Sequence, residues 1–417
     1  MKKYSADIVH VSYPIVIGNK KMSKRFIIIF IVFTGIIPIV NGQELFPFRK
    51  DSLWGFCDSN KILVIPTKYE SVSIFSNCGI STIKTNGKYR FLDKSGEFIN
   101  QAEYDKWTYF WLSRTYAWQE NKVGLIDSVG NILVPFLYDD IKFTKGIIGF
   151  KKEGKWALFD YYSGKQKSRF KFQDVITRSS KLMGVKIKDK WGFANKKGKI
   201  KIKPKYGEIT GFSSLGLAGV KQGKYWGFID LEGNKVGAIE YSSLQNFQTE
   251  GAWVKKGEKW GLINLKGEIV IPFQYSSVSY FKEGLTSVKL NGKYGYIDSL
   301  GKTVIPFIYD YAFEFSEGFA SVCLVDDSCG YIDKEGKTVI PLKFQTNYGS
   351  EFSEGLAEVR QNEQYGFIDK NGIIVVEIKY NSPTDYNDFS DGVGMLIDPK
   401  TDKRFYFNRN GILFYED

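Results

Sequence analysis

Residues 285–290 (LTSVKL) alternate apolar and polar positions and are rich in strand formers. Asn291 and Gly292 follow, the strongest short signal for a two-residue hairpin. Residues 294–298 (YGYID) alternate again, 298–301 (DSLG) reads as a turn, and 303–306 (TVIP) as a third short strand. The pattern predicts a three-stranded meander, then an irregular connection from 307 to 315. Within its second strand Tyr294 and Tyr296 share one face, while Gly295 and Ile297 share the other. A glycine there lets another backbone or ring approach closely. No stretch of useful length shows a helical period.

The same pattern recurs along the chain. Its aromatic-Gly position falls at Trp54, Tyr89, Val123, Trp156, Trp191, Trp226, Trp260, Tyr294, Cys329 and Tyr365, at intervals of 33 to 36 residues. A degenerate eleventh copy starts at Arg404. The second position is Gly55, Gly124, Gly192, Gly227, Gly261, Gly295, Gly330 or Gly366, with Arg90 and Ala157 as exceptions. Four residues in stands an acid or amide, from Asp58 through Asp298 to Asn408, and a Gly usually follows it by three. Pro66, Pro135, Pro272, Pro306 and Pro341 lie twelve residues after the first position, and Tyr69 through Tyr380 fifteen after it. Phe172 takes that role one residue late, because the fourth copy carries an insertion around Tyr161–Ser163. Later copies add Phe-x-Glu-Gly at 281–284, 315–318 and 352–355. Register kept over some 350 residues identifies a repeat protein.

The WGFID of 226–230, the KWG of 190–192 and 259–261, and the VIPFIYD of 304–310 resemble the bacterial WG repeat family. The resemblance spans roughly 44 to 417. It implies a surface, periplasmic or interaction protein, and it brings no shared enzymatic activity and no catalytic residue. The departures are Tyr89-Arg90, Val123, Trp156-Ala157, Cys329 and Arg404-Phe405, which mark those copies as caps or specialised units.

Stacked meanders bury a continuous core between neighbours, so the expected fold is an all-β array over 43–417 of about eleven units. An open superhelical, solenoid-like array accepts any copy number, whereas typical propeller rings hold 4–8 four-stranded blades. The open array is therefore the expectation, and a β-propeller-like ring the alternative.

Residues 1–42 read differently. A short basic head precedes the apolar run 26–40, with Gly42 after it, as in a secretory signal peptide cleaved before Gln43. The run is short for a bilayer span and Pro38 interrupts it. The preceding residues make Met22 the expected true start. Cleavage removes His10, the only histidine, and leaves 52 basic residues against 45 acids, a modest net +7. That balance reads as a solvated surface with slight attraction for anionic polymers, and no nucleic-acid partner is expected. Exported repeats of this kind imply a protein or envelope polysaccharide as partner, with no membrane span after cleavage.

Cys57, Cys78, Cys323 and Cys329 permit two disulfides; local pairing joins 57 to 78 and 323 to 329, and four buried thiols are the other reading. No CxxC suggests zinc, and no metal or cofactor is expected. The recurrent Asp reads as the cap of its own turn rather than a cation ladder. The aromatics Trp54, Trp191, Trp226, Trp260, Tyr294 and Tyr365 read as core rather than a sugar-stacking stripe. On that reading Trp226→Ala would cost ~3–5 kcal/mol. Without histidine, Ser-His and Cys-His dyads are unavailable. Acid pairs such as Asp326-Asp327 or Asp385 with Asp388 read as solvated turns. The expected function is a non-catalytic exported binding scaffold; the alternative is a glycan-acting hydrolase or carbohydrate-binding protein. A site is to be sought where copies disagree, at 155–190, 323–329 and 381–404.

Overall fold

The structure is a computed structural model that describes residues 44–416 apart from 145, 178–180, 325–327, 346–349 and 382–388. The leader, Met22 and the apolar run 26–40 lie outside the described residues. Among those described, strands form eleven small sheets. The eighth shows the plan: Ser277–Val278, Thr286–Leu290, Lys293–Ile297 and Thr303–Tyr309 lie side by side, every pair antiparallel. The hairpin at Asn291 and Gly292 has φ of 50° and 87°, the left-handed pair that a two-residue turn needs.

Two features correct the meander. The third predicted strand does not end at Pro306 but runs to Tyr309, and the connection beyond it is not irregular. After Asp310 it continues as Tyr311–Ser316, the first strand of the next sheet. Seven of the eleven sheets are thus four-stranded, because one strand is lent by the neighbouring copy; the other four have two or three strands among the described residues.

The glycine of the repeated dipeptide follows from the same strand. Tyr294 pairs with Tyr309 and Tyr296 with Ile305, so the last strand bulges opposite Gly295 and carries Pro306 in the bulge. A Cβ on Gly295 would lie 2.7 Å from the Ile305 carbonyl oxygen and 2.9 Å from Pro306 backbone. Close backbone approach excludes a side chain, as expected from the sequence. Where Arg90 and Ala157 replace the glycine, the last strand is reduced to isolated bridges, Tyr89 with Tyr104 and Trp156 with Phe172.

The core lies between neighbouring sheets. Tyr296, Ile305 and Tyr309 of one copy pack with Phe315, Val322 and Ile332 of the next. The turn glycine of one copy sits on the isoleucine of the previous one, as Gly301 does on Ile271 and Gly336 on Ile305.

The expected open array is not what forms. Phe46–Lys50 pairs with Leu53–Cys57 on one side and, in parallel, with Tyr415–Glu416 on the other, through Arg49 opposite Tyr415. The C-terminal strand thereby fills the first-strand place of the first sheet. The array over 44–416 closes as a propeller-type ring, the alternative reading. Complementary ends explain this. Phe46, Phe48 and Cys57 of the first copy bury with Val393 and Phe414 of the last. An open array would expose both that surface and two strand edges.

Candidate functional site

The repeated residues are engaged by the fold itself. Each aromatic of the dipeptide is half-buried at Trp191, Trp226, Trp260, Tyr294 and Tyr365, and only Trp54 and Trp156 are buried. The core position is two residues later, where Phe56, Phe193, Phe228, Tyr296 and Phe367 are sealed from solvent. The expectation that the dipeptide aromatics form the core holds for Trp54 and is corrected for Trp191, Trp226, Trp260, Tyr294 and Tyr365, which pack against the core from nearer the sheet's end.

At that end, each aromatic sits opposite a cation on the preceding strand. The pairs are Arg49–Trp54, Lys84–Tyr89, Lys151–Trp156, Lys186–Trp191, Lys221–Trp226, Lys255–Trp260, Lys289–Tyr294 and Arg360–Tyr365. The Lys221 ammonium lies 5.6 Å from the Trp226 ring centre, and that of Lys289 5.0 Å from Tyr294. Contacts of this kind contribute roughly 0.5–1 kcal/mol each at exposed sites. On its other side each of these aromatics except Trp156 pairs with the buried tyrosine fifteen residues on, as Trp226 does with Tyr241, and Trp156 pairs with Phe172. Sequence reasoning missed the cation, although a basic residue stands five positions before every one of these aromatics.

The departures occupy the same place. Val123 pairs with Trp118, which exchanges the bulky residue across the ladder. Cys329 pairs with Cys323, and the two form a disulfide. The second expected disulfide does not form: Cys57 is a buried thiol and Cys78 a partly exposed one. Burial pushes the Cys57 thiol up to about 12, with the neighbouring Asp58 carboxylate adding to the shift. Iodoacetamide at neutral pH should therefore alkylate Cys78 in the folded protein and reach Cys57 only after unfolding, since the thiolate is the reactive form. Peptide mass spectrometry reads the outcome, and labelling of Cys57 under native conditions would contradict it.

The recurrent acid closes its turn. One Asp298 oxygen accepts the Leu300 and Lys302 amides at 3.0 and 2.9 Å, and the Gly301 amide donates to the Asp298 carbonyl. Asn264 and Asn408 make the same two bonds, which explains the free exchange of Asp and Asn. Asp298→Ala should cost about 1 kcal/mol, as for other short capping side chains, and Asp298→Asn close to nothing. Chemical denaturation tests this, and a calcium-dependent midpoint lost only in Asp298→Ala would overturn the turn role.

The Phe-x-Glu-Gly sequence, unexplained from sequence alone, is a latch between copies. The carboxylates of Glu283, Glu317 and Glu354 accept the amides of Gly318, Gly355 and Gly392 in the next copy, at 3.2, 2.9 and 3.1 Å. The same carboxylates pair with Lys334, Lys370 and Arg409 at 3.0, 3.0 and 2.9 Å. For Glu317, desolvation is the largest influence and raises the pKa, but Lys370 and the Gly355 amide together outweigh it and hold the carboxyl below its usual range. A folded value below the unfolded one stabilises above the unfolded pKa of about 4.3, and that stability is lost as pH falls through the folded value. Glu317→Gln should thus cost about 1 kcal/mol at neutral pH and differ less from the parent near pH 3. Thermal melts at both pH values measure it; an equal deficit at both would contradict the latch.

What the repeat does not absorb lies along the seam. Phe46 stacks on Phe414 with ring centres 4.3 Å apart, Trp54 meets Tyr406 edge-on at 5.5 Å, and the Arg49 guanidinium lies 5.5 Å from the Tyr415 ring centre. Three cavities open there, each lined by both ends of the chain. One of about 470 Å³ presents Tyr89, Trp107, Tyr109, Arg404 and Tyr406, with the hydroxyls of Ser73, Thr82 and Ser390. The region around 381–404 singled out from sequence contributes to it; Asp326, Asp327, Asp385 and Asp388 lie outside the described residues. Trp107 and the 71–82 segment carried no sequence signal, because the seam joins residues some 300 positions apart.

A family model for the WG containing repeat matches residues 54–89, 124–156, 191–226, 226–260, 260–294, 294–326, 330–365 and 365–395. No curated protein matches the chain. Among solved structures it is similar to a eukaryotic initiation factor, at 10% identity over 80% of this chain and 95% of that one, with a TM-score of 0.45. It is similar also to BamB from Moraxella catarrhalis, at 9% identity over 66% and 92%, with a TM-score of 0.36. A third is PorZ, a bacterial surface component of the type-IX secretion system of Porphyromonas gingivalis, at 9% identity over 79% and 58%, with a TM-score of 0.25. The eight matched segments cover most of the ring, and the chain belongs to the WG repeat family.

Proposed function

We propose that the protein is a non-catalytic exported scaffold that binds a protein segment or an envelope polymer. The observation that supports this is the division of labour among its residues. The aromatics, glycines, acids and glutamates that recur serve ladders, turns and latches, whereas the seam cavity joins two repeat positions, Tyr89 and Tyr406, to Trp107 and Arg404, which the other copies do not repeat. Its composition suits binding: aromatic faces offer large apolar contact, and hydroxyls and a guanidinium fix orientation. The apolar leader supports the exported setting. The aromatic and hydroxyl lining also favours a sugar chain as one occupant class.

The test sets binding against turnover. The mature protein is applied to glycan arrays and used in pull-downs, with release of reducing ends followed in parallel. Saturable binding weakened at least about tenfold (about 1.4 kcal/mol) by Trp107→Ala, without product, is expected. Release of reducing ends in proportion to protein would instead establish the hydrolase reading.

A further inference from the structure

The net charge of the chain is not spread. Residues 165–205 hold 15 basic residues and only two acids, Asp174 and Asp189, for a net +13. The rest of the chain from 43 onward holds 37 basic residues against 43 acids, a net −6. The modest balance expected from composition therefore hides a segregation, and the concentrated basic stripe absent from the average is present locally.

The fold places nine of these basic residues on and beside one edge. Ile200–Tyr206 is the outermost strand of the fifth sheet. Lys201, Lys203 and Lys205 are exposed on it, alternating with Ile202 and Tyr206 turned into the core. The corresponding positions in the eighth sheet are Val304, Pro306 and Ile308. Lysine thus replaces the proline that guards an edge strand elsewhere, and Pro204 stands one residue late. One lysine would serve as an edge guard; the others exceed that need. The turn before the strand adds exposed Lys196, Lys197 and Lys199.

The fourth copy extends the surface. Its insertion displaces the last strand, and the segment 165–171 runs against the turn of the fifth copy. Lys171 donates to the Gly198 carbonyl at 3.0 Å, and a Cβ on Gly198 would meet Ser168 at 2.5 Å. Lys165, Lys167 and Arg169 are exposed beside it. Lys167 is paired with Asp160 at 3.7 Å. Lys196, Lys197, Lys199, Lys201, Lys203 and Lys205 have no carboxylate partner among the described residues.

We infer that this edge of the fourth and fifth copies is a docking surface for an acidic polysaccharide. Uncompensated like charges at this density cost folding free energy through mutual repulsion, which a polyanion relieves. The chemistry favours a polysaccharide over nucleic acid. The strip is nearly all lysine, which neutralises spaced carboxylates as point charges, whereas arginine is preferred where phosphates are clamped in pairs. Nor does the exposed side of 196–205 carry an aromatic on which bases could stack. The exported setting rests on the reading given above; the charge argument does not.

The experiment uses the intact purified protein with polygalacturonate as probe, and neutral dextran and a single-stranded oligonucleotide as comparators. The affinity for polygalacturonate is expected to fall steeply between about 50 and 200 mM salt. Lys201→Gln, Lys203→Gln and Lys205→Gln combined should weaken it about tenfold or more. The same charge removed elsewhere, by Lys68→Gln, Lys302→Gln and Lys337→Gln, should change it little. Absence of binding, equal losses in the two variants, equal binding of dextran, or tighter binding of the oligonucleotide would each overturn the inference. A ligand captured equally by the parent and the 201/203/205 variant would also overturn it, yet leave the scaffold reading intact.

Discussion

Phe228→Ala is expected to destabilise the protein by about 3–5 kcal/mol, while Trp226→Ala, two residues earlier, should cost only about 1–2 kcal/mol. The larger ring makes the smaller contribution because of where the ladder puts each. Phe228 is 1% exposed and packs on Phe247 of the connection, with ring centres 4.5 Å apart, and its removal leaves a void between two sheets. Trp226 is half-buried at the sheet's end, between the Lys221 ammonium and the buried Tyr241. Truncating it removes one cation contact and part of an apolar face, and water fills the space. Denaturant midpoints of the two variants decide the matter; a Trp226→Ala loss equal to or above that of Phe228→Ala would restore the dipeptide aromatic to the core.

Phe414→Ala should be as costly, about 3–5 kcal/mol, but its effect should appear first at one place. Phe414 is fully buried and stacks on Phe46, and its carbonyl accepts the Arg49 amide at 3.3 Å. Its loss opens the seam, so amide exchange should accelerate in Phe46–Lys50 and Leu53–Cys57 before it does in the middle copies. Because Phe46→Ala breaks the same contact, the two changes together should cost less than the sum of their separate effects. Strict additivity, or faster exchange spread evenly over all sheets, would argue against a seam held by this pair.

These two expectations also show where the sequence was legible. Turns, period and strand class could be read because they are local: Asn291 and Gly292 need left-handed backbone, and Asp298 caps within four residues. The full length of the last strand was hidden by its bulge. In Thr303–Tyr309 exposed and inward positions alternate, but Val304, Ile305, Pro306, Phe307 and Ile308 are all apolar, so no polar-apolar alternation marks the strand, and Pro306 sits where Gly295 admits the bulge. The cation facing each aromatic was present five residues upstream but is a neighbour only through the hairpin. Closure had no local signal at all, since Arg49 and Tyr415 meet across the whole chain. The seam cavity, being a product of closure, was invisible for the same reason. The lysine edge was open to view and was lost only by averaging charge over the full length.

Closure is the claim on which the seam, its cavities and the proposed binding site depend. Small-angle scattering from the protein lacking residues 1–42 tests it directly. A ring of this mass should give a radius of gyration of about 21–24 Å, near the value for a compact chain of its length. Eleven sheets stacked about 10 Å apart in an open array would extend beyond 100 Å and give a value above about 30 Å. The lower value is predicted, and the higher one would contradict the ring.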